Sequence, residues 1–408
     1  MSGKINRSCE KTITYLMSKF PCVAIIGSRQ VGKSTLVKKL FPKAPFFDLE
    51  QQNDLYRIKE DPDFFLSNQT ENIIIDEAQI LPELFPALRV AIDKKRESNG
   101  RFLITGSSSP ELLKKITESL AGRIAIFELT PLSVYESHEI KDSDFPLRVN
   151  NKEFKEPTKA RLTKKQIEES WFYGGYPDAF LNRDDKKYYS TWMNNYFATY
   201  INRDIRSLFP NLQLDSFKRF IELLSGSCGE LINHSNFARS LNVSQPTVKK
   251  YFEIAEGSFF WRSLKSYEKT IKKRIVKMPK GHLVDSGLTN FLYGFKTQEM
   301  LLKSQKLGRS WEAFVTEQIL RSFKNQLVDC RSYHYRTHNQ GEIDLVIETD
   351  YGLLPIEVKR GQKVDPQQIK TLKSFVQEQK CRFGVVINNA EESCWLNKEI
   401  LQLPFKNL

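Results

Sequence analysis

The stretch from Ile25 to Leu36, IIGSRQVGKSTL, constrains the fold more than any other part of the 408-residue chain. It overlaps the apolar run CVAII, which is typical of a buried strand. Its residues match the pattern G-x-x-x-x-G-K-[ST], a glycine-rich turn between a strand and a helix whose backbone N–H groups bind phosphate. The sequence therefore predicts a phosphate-binding loop, and a strand–helix turn without a ligand is the alternative.

The residue types of this loop predict how it binds ATP and Mg²⁺. Gly27 and Gly32 let the backbone turn its N–H groups toward a polyphosphate. Lys33 is expected to reach the β- and γ-phosphate oxygens, and the Ser34 hydroxyl is expected to bind Mg²⁺. The predicted nucleotide-binding residues of the loop are Gly27, Ser28, Gln30, Val31, Gly32, Lys33, Ser34 and Thr35.

Four further apolar runs follow the loop, namely PFFDLE, NIIIDEA, RFLITGS and RIAIFEL. Helical patterns separate most of them, which favours a parallel sheet with helices on both faces. NIIIDEA brings Asp76 and Glu77 to the end of a strand. There Asp76 can hold the water shell of Mg²⁺ opposite Ser34, and Glu77 can accept a proton from the attacking water. Two strand-end acids that face solvent are the alternative.

Two more candidates follow the later strands. Ser107 ends the run RFLITGS, and Ser107 or Ser108 is a candidate contact to the γ-phosphate or to the attacking water. Ser108 or Ser109 alternatively caps a helix that begins near Pro110. Arg123 is a candidate arginine finger that acts in trans, or it pairs with an acid near the edge of the sheet.

Charge and composition restrict the partners and the compartment. Lysine and arginine number 62 against 49 aspartate and glutamate residues, and the net charge of +13 suits nucleic acid or an anionic membrane as a partner. Neither an apolar signal core nor a long uncharged run is present, so we expect a cytoplasmic protein without a membrane partner. The six cysteines form no C-x-x-C pair, which argues against a zinc site.

The stretch NHSNFARSLNVSQPTVKKYFEIAEGSFF predicts two short helices joined by a tight turn, which is a helix-turn-helix. Ser244 is a natural N-cap for the second helix, and Pro246 lies in its first turn. Either DNA contact or protein packing would suit such a unit. The side chains expected on the second helix and on a following β-wing are Gln245, Thr247, Lys249, Lys250, Arg262, Lys265, Lys269, Lys272, Lys273, Arg274, Lys277 and Lys280.

Near the C-terminus, GEIDLVIETD and GLLPIEVKRG alternate like the strands of a hairpin. Ile343, Leu345 and Ile347 are expected on one face and Asp344 on the other. Because side chains alternate between the two faces of a strand, Glu357 and Lys359 are expected on one face, and Val358 is expected to pack into the core.

Convergence of these polar residues is the D…E-x-K arrangement of PD-(D/E)XK nucleases. The predicted Mg²⁺ ligands are Asp344, Glu357 and, on the preceding helix, Glu312, with Glu317 as the weaker choice. Lys359 would orient or deprotonate a water molecule, and Gln368 is a further candidate. The same fold with an inactive site or a purely binding site is the alternative.

The ordered motifs GSRQVGKSTL, IIIDEAQ, ITGSS and SLAGR with a following PLS resemble the bacterial and archaeal AAA+ ATPases whose C-terminal portion was long called a domain of unknown function. YGGYPDAFL and YFATYINRDI resemble linker segments of that family, so the likeness extends over nearly the whole chain. The resemblance implies a restriction-endonuclease-like C-terminal fold. In two respects the chain departs from it: no second-sensor arginine of the AAA+ lid is recognisable, and Asp344 follows GEI rather than a proline.

The sequence thus predicts an α/β protein with four parts: a P-loop AAA+-like parallel-sheet ATPase domain, a helical linker, a winged helix-turn-helix, and a PD-(D/E)XK nuclease-like C-terminal domain. We expect a protein that hydrolyses ATP and acts on DNA, with or without Mg²⁺-dependent cleavage of the DNA. A homo-oligomer is possible. The rival function is an ATP-gated switch or scaffold that binds DNA or protein and cuts nothing. The predicted boundaries are 1–139, 140–210, 211–295 and 296–408.

Overall fold

The chain divides into two units, which are described separately below. Unit 1 comprises Met1–Pro131, Tyr176–Asp178 and Phe252–Phe260, and unit 2 comprises Leu132–Gly175, Ala179–Tyr251 and Trp261–Leu408. The structure is a computed structural model. It describes residues 5–69, 71–107, 116, 118–151, 160–206, 209, 211–268, 277–337, 341–367 and 369–408.

Unit 1 is built on a five-stranded sheet in which each neighbouring pair of strands is parallel. The strands lie in the order β2-β3-β4-β1-β5, so the strand that leads into the phosphate-binding loop has a neighbour on each side. The five predicted apolar runs form these strands, which confirms the prediction of a parallel α/β sheet. The strand bounds are β1 Cys22–Gly27, β2 Phe46–Asp48, β3 Ile73–Asp76, β4 Phe102–Ser107 and β5 Ile124–Glu128.

The helices of unit 1 bury their apolar side chains against this sheet. Helix α5, for example, contributes Leu84, Phe85, Leu88 and Ile92 to one continuous core with the strand residues Ile73 and Ile75. The bounds are α1 Glu10–Lys19, α2 Lys33–Leu40, α3 Gln52–Lys59, α4 Pro62–Ser67, a 3₁₀ turn Ala78–Ile80 and α5 Leu84–Lys94.

Helices dominate the chain between residues 134 and 302. A π-helical segment, Tyr200–Ile205, continues α10. The helix bounds are α6 Val134–Ser137, α7 Phe145–Asn151, α8 Lys164–Tyr173, α9 Pro177–Leu181, α10 Lys186–Thr199, α11 Leu214–Gly226, α12 His234–Leu241, α13 Gln245–Gly257, α14 Ser286–Leu292 and α15 Gln298–Leu302. None of the helices in the described part of the chain has both the length and the apolar character needed to cross a bilayer.

Unit 2 contains a nine-stranded mixed sheet with the order β13-β14-β12-β11-β10-β9-β7-β8-β6. The hairpin of β10 and β11 is antiparallel, as predicted, and β11, β12 and β14 are parallel neighbours. The bounds are β6 Glu230–Leu231, β7 Trp261–Ser266, β8 Lys280–Leu283, α16 Leu307–Asn325, β9 Arg331–Arg336, β10 Glu342–Thr349, β11 Gly352–Val358, α17 Lys370–Glu378, β12 Gly384–Asn388, β13 Cys394–Trp395, β14 Ile400–Pro404 and a final 3₁₀ turn Phe405–Asn407.

Two apolar clusters belong to this sheet. Leu345, Ile347 and Val358 share a cluster with Trp311 and Phe314 of α16, so Val358 packs into the core as predicted. The expectation that Ile343 shares the face of Leu345 and Ile347 is wrong, because Ile343 lies in the second cluster, with α17. The cause is an irregularity in the β9–β10 pairing between Ile343 and Val346, which interrupts the period of two.

Candidate functional site

The phosphate-binding loop joins β1 to α2, and two glycines give it its shape. A Cβ atom on Gly27 would lie 2.3 Å from the carbonyl oxygen of Leu129, so a side chain has no room there. Gly32 has a φ of 92°, in the region that favours glycine, immediately before the first residue of α2. Lys33 is buried, and its Nζ donates to the carbonyl oxygens of Gly27 and Ser28 over 3.1 Å each. The lysine ammonium therefore lies within the curve of the loop.

The remaining loop residues differ in exposure. Ser28 and Val31 are buried, whereas Gln30 and Thr35 are exposed. Arg7 supports the loop from behind, because its guanidinium donates to the carbonyl oxygen of Val31 over 2.8 Å and to that of Thr130 over 2.6 Å. No sequence motif predicts this contact, because Arg7 precedes every recognised motif.

Ser34 and Asp76 meet at the carboxyl edge of the sheet. The Ser34 hydroxyl donates to Asp76 Oδ2 over 2.7 Å, and the Thr105 hydroxyl donates to Asp76 Oδ1. Burial raises the pKa of the Asp76 carboxyl, and the two hydroxyl hydrogen bonds oppose that rise. A hydroxyl and a carboxylate in contact are the oxygen ligands that Mg²⁺ prefers, so the residues present fit this ion.

Glu77 is fixed by its backbone and by two polar neighbours. Its φ of 55° is left-handed, and its Oε2 accepts hydrogen bonds from the Ser107 N–H over 3.2 Å, from the Ser107 hydroxyl over 3.1 Å, and from the Gln79 amide. Burial alone would raise the pKa of Glu77, but the Lys33 charge and these hydrogen bonds outweigh it and hold the pKa below its usual value. Glu77 is therefore an ionised carboxylate that is held in one orientation beside the loop.

Arg123 forms a forked ion pair with an acid of the same unit. Its Nε and Nη2 donate to the two carboxylate oxygens of Asp93, over 2.7 Å and 2.9 Å, near the end of α5. This is the pairing that the sequence left open as the alternative to an arginine finger. A role in trans would require Arg123 to leave Asp93.

Residues 211–283 contain the two helices expected from the NVS turn. Asn242 adopts the left-handed conformation that ends α12, and Ser244 Oγ accepts from the Thr247 N–H over 3.3 Å at the start of α13. Aromatic packing holds the helices together, since the Phe220 ring of α11 lies 5.7 Å from Phe237 and 5.4 Å from Tyr251. The side chains of α13 that are exposed in its first turns are Gln245, Pro246, Lys249 and Lys250.

The basic residues predicted for the wing differ in their exposure and in their ion pairs. Arg262 pairs with buried Glu317, and Lys280 is 4% exposed, so neither is available to phosphate. Lys265 is exposed, and Lys277 pairs with Glu268. The other predicted wing residues, Lys269, Lys272, Lys273 and Arg274, lie outside the described residues, as do Ser108, Ser109 and Gln368.

At the C-terminal hairpin, the structure brings Asp344, Glu357 and Lys359 together. Asp344 Oδ2 accepts from the Val358 N–H over 2.8 Å, and Lys359 Nζ contacts Glu357 Oε1 over 2.6 Å. Burial, and then the charge of Asp344, raise the pKa of Glu357 above its usual value. Glu357 Oε2 is buried, and no hydrogen-bond partner for it exists among the residues that the structure describes.

Lys280 of β8 enters the same cluster. Its Nζ lies 2.5 Å from Glu312 Oε1, 2.7 Å from Glu342 Oε1 and 3.6 Å from Asp344 Oδ1. Burial alone would lower the pKa of Lys280, but these carboxylates outweigh it and raise the pKa above its usual value, so the amine is an ammonium. The ammonium thus contacts two of the three predicted Mg²⁺ ligands.

This arrangement does not fit a divalent ion. Within the described ranges, no group of three or more histidine, cysteine, aspartate or glutamate side chains is placed to hold a metal. Glu317, the weaker candidate ligand, is paired instead with Arg262 and, over 2.9 Å, with His282. The Arg262 and His282 contacts outweigh the effect of burial and lower the pKa of Glu317. Glu317 is therefore the acidic partner of a structural ion pair.

Three family models match the chain. Residues 19–138 match an AAA domain, and residues 164–299 and 307–408 match two domains of unknown function, DUF8612 and DUF4143. The uncharacterised protein Rv2008c of Mycobacterium tuberculosis is 32% identical over 346 residues, which cover 84% of this chain and 71% of that protein. This chain belongs to the same family. The AAA match, on the strands that carry the loop, Asp76 and Glu77, confirms the prediction of a P-loop ATPase.

Other known proteins resemble this ATPase more distantly. An uncharacterised protein of Haemophilus influenzae is 25% identical over 297 residues, which cover 67% of this chain and 69% of that protein. Among solved structures, the Walker-type ATPase paby2304 of Pyrococcus abyssi aligns with a TM-score of 0.44 and 16% identity, over 71% of this chain and 96% of that chain.

The sequence interpretation missed Thr105 and Gln79 and assigned Lys280 to a wing rather than to the carboxylate cluster, and the three residues differ in the signal that the sequence carries. Thr105 lies two residues before Ser107, so period two puts both on one face of β4, next to the end of β3. Gln79 follows Glu77 by two residues in DEAQ and could have been paired with it from sequence. Lys280 left no usable signal, because a run of other basic residues surrounds it.

Proposed function

We propose that this ATPase couples ATP hydrolysis to DNA binding by residues 211–283. The observation that carries the proposal is the exposure of Lys249 and Lys250 on α13, the second helix of the pair joined at Asn242. Exposed lysines on the second helix of such a pair suit contacts to the DNA backbone. The net charge of +13 supports an anionic partner.

The order of the elements supports a winged helix-turn-helix. Helix α11 precedes β6, the two helices α12 and α13 follow, and β7 and β8 complete the segment. Strand β8 pairs antiparallel with both β6 and β7, so these three strands form one edge of the nine-stranded sheet. The sequence between β7 and β8 carries Lys269, Lys272, Lys273 and Arg274, four of the basic residues expected on a wing.

For ATP hydrolysis, we infer roles for the residues at the carboxyl edge of the first sheet. Mg²⁺, when bound, supplies charge that neutralises the β- and γ-phosphate oxygens. Ser34 and Asp76 would hold the ion directly or through its water shell. Lys33 exchanges its carbonyl contacts for phosphate oxygens, and Glu77, oriented by Gln79 and Ser107, accepts the proton of the attacking water.

For the C-terminal module, we propose binding or scaffolding without cleavage, which is the rival function considered from the sequence. Asp344, Glu357 and Lys359 converge as a nuclease would require, and this is the observation in favour of cleavage. The Lys280 ammonium on Glu312 and near Asp344 argues against it. Linear DNA incubated with Mg²⁺ should therefore stay intact with the wild-type protein, as it should with Asp344→Asn. Cleavage by the wild type that Asp344→Asn abolishes would contradict this proposal.

DNA binding is tested by charge reversal and by salt. The double variant Lys249→Glu/Lys250→Glu should lose most DNA affinity in a fluorescence anisotropy titration. Wild-type affinity should fall with salt at a slope of about −0.9 in log K per phosphate contacted. A matched control is Lys164→Glu/Lys165→Glu, which reverses two adjacent lysines whose side chains on α8 are 88% and 86% exposed. Equal affinity of the two double variants would contradict the proposal.

A further inference from the structure

Lys280 combines a backbone that is paired on both sides with a side chain that is ion-paired in the carboxylate cluster. Strand β8 pairs on one side with β7, where Lys280 is opposite Leu264, and on the other side with β6, where Lys280 is opposite Leu231. A residue paired on both sides cannot withdraw without breaking two strand contacts. The sheet therefore fixes the backbone from which the Lys280 side chain leaves, and the ion pairs with Glu312, Glu342 and Asp344 hold its ammonium.

The hydrogen-bond donors and the positive charge of the Lys280 ammonium match the acceptors around it. It carries three N–H donors, and the carboxylates of Glu312, Glu342 and Asp344 surround it. Lys280 is 4% exposed, so water contributes little to compensating these charges. A divalent cation in the same cluster would need the oxygens of Glu312 and Asp344 that the ammonium already contacts.

We propose that Lys280 is a built-in cation of the C-terminal module, that it excludes a divalent metal ion from Glu312, Asp344 and Glu357, and that removal of its charge creates a site for one. Glu357 supports the metal-binding capacity of the cluster, because its Oε2 is buried and has no partner among the described side chains. The proposal deepens the proposed function, since it gives the reason that the module cuts nothing. It concerns cation binding and is tested without ATP or DNA.

The test is Mn²⁺ binding to the whole 408-residue chain, with the free ion measured by electron paramagnetic resonance. The variant Lys280→Met should gain one Mn²⁺ per chain, with affinity at least about tenfold above any wild-type binding, a difference that such a titration resolves readily. Asp344→Asn in the Lys280→Met background should remove the added site, which separates it from Mn²⁺ at the phosphate-binding loop. Lys265→Met is the matched control, because Lys265 is an exposed lysine of the neighbouring strand β7, and it should gain nothing.

Thermal unfolding decides the case in which Lys280→Met folds poorly. Loss of the ammonium leaves buried carboxylates without their counter-ion, so the midpoint of unfolding should fall, and Mn²⁺ should restore it in Lys280→Met but not in Lys280→Met/Asp344→Asn. Failure of Mn²⁺ to raise the midpoint, or a wild-type Mn²⁺ site that Asp344→Asn abolishes, would overturn the proposal. Loss of DNA binding or of ATPase activity in any of these proteins bears on the proposed function alone.

Discussion

The Lys33 ammonium donates to two backbone carbonyl oxygens of the loop, and phosphate oxygens of ATP are expected to take their place. Removing that charge with Lys33→Ala should weaken MgATP binding by about 10- to 100-fold, since a hydrogen bond to a charged group contributes about 1.5–3 kcal/mol. Isothermal titration calorimetry measures the affinity. Lys38→Ala removes an exposed lysine from the same helix and should bind as the wild type does. Unchanged affinity of Lys33→Ala would refute the role given to the loop.

Glu77 provides the second test at the scale of single residues. Glu77→Gln keeps the shape and the hydrogen-bonding reach of the side chain but removes the proton acceptor, so ATP should still bind while the hydrolysis rate falls by about 10²–10⁴-fold. Single-turnover phosphate release measures the rate. Glu83→Gln, a change at an exposed acid just before α5, is the control. A Glu77→Gln enzyme that turns over at the wild-type rate would reassign the base.

At this scale, the sequence predicted contacts between residues that belong to one motif or to neighbouring strand ends. The Ser34–Asp76 contact followed from two recognisable motifs and the edge rule for parallel strands. The Lys280 contacts could not be predicted, because nothing local distinguishes a lysine that turns into a carboxylate cluster from one that faces solvent. Its partners Glu312 and Glu342 lie 32 and 62 residues away.

Strand β9 carries a residue whose titration should affect the stability of unit 2. His334 is 1% exposed, and burial followed by the Lys280 charge lowers its pKa to about 4. The folded state thus holds the neutral ring, whereas the unfolded chain takes up a proton near its ordinary pKa of about 6.5. The stability that the neutral ring contributes is complete above about pH 6.5 and is lost as the pH falls to about 4, by up to about 3 kcal/mol.

Urea unfolding followed by tryptophan fluorescence measures this effect in unit 2, since all five tryptophans, residues 171, 192, 261, 311 and 395, belong to it. Between pH 7 and pH 5 the wild type should lose more stability than His334→Gln, which has no group to protonate. An equal loss in the two proteins would show that His334 does not cause the pH dependence.

Element boundaries and caps were predicted where the signal is local. Ser244 and the NVS turn defined the start of α13, because a cap depends on residues three positions apart. The face of Ile343 was not predicted, because a bulge depends on how β9 pairs with β10 and leaves no mark in the alternation of β10 itself.

For the whole molecule, the sequence divided the chain where composition changes, whereas strand pairing continues across the predicted boundary between 295 and 296. Strand β7 pairs with β9 through Lys265 and Tyr333, which are 68 residues apart. Hydrophobic periodicity cannot predict such non-local pairing, because it indicates only which face of a strand is buried. The parallel sheet of unit 1 was predictable, because its alternating strands and helices imply that architecture on their own.

The central claim is that ATP hydrolysis and DNA binding are coupled, and the steady-state ATPase rate with and without DNA tests it most directly. We predict that linear double-stranded DNA changes the wild-type rate several-fold, that the change disappears in Lys249→Glu/Lys250→Glu, and that it persists in Lys164→Glu/Lys165→Glu. A wild-type rate that is the same with and without DNA, at a salt concentration low enough for phosphate contacts to form, would contradict the account.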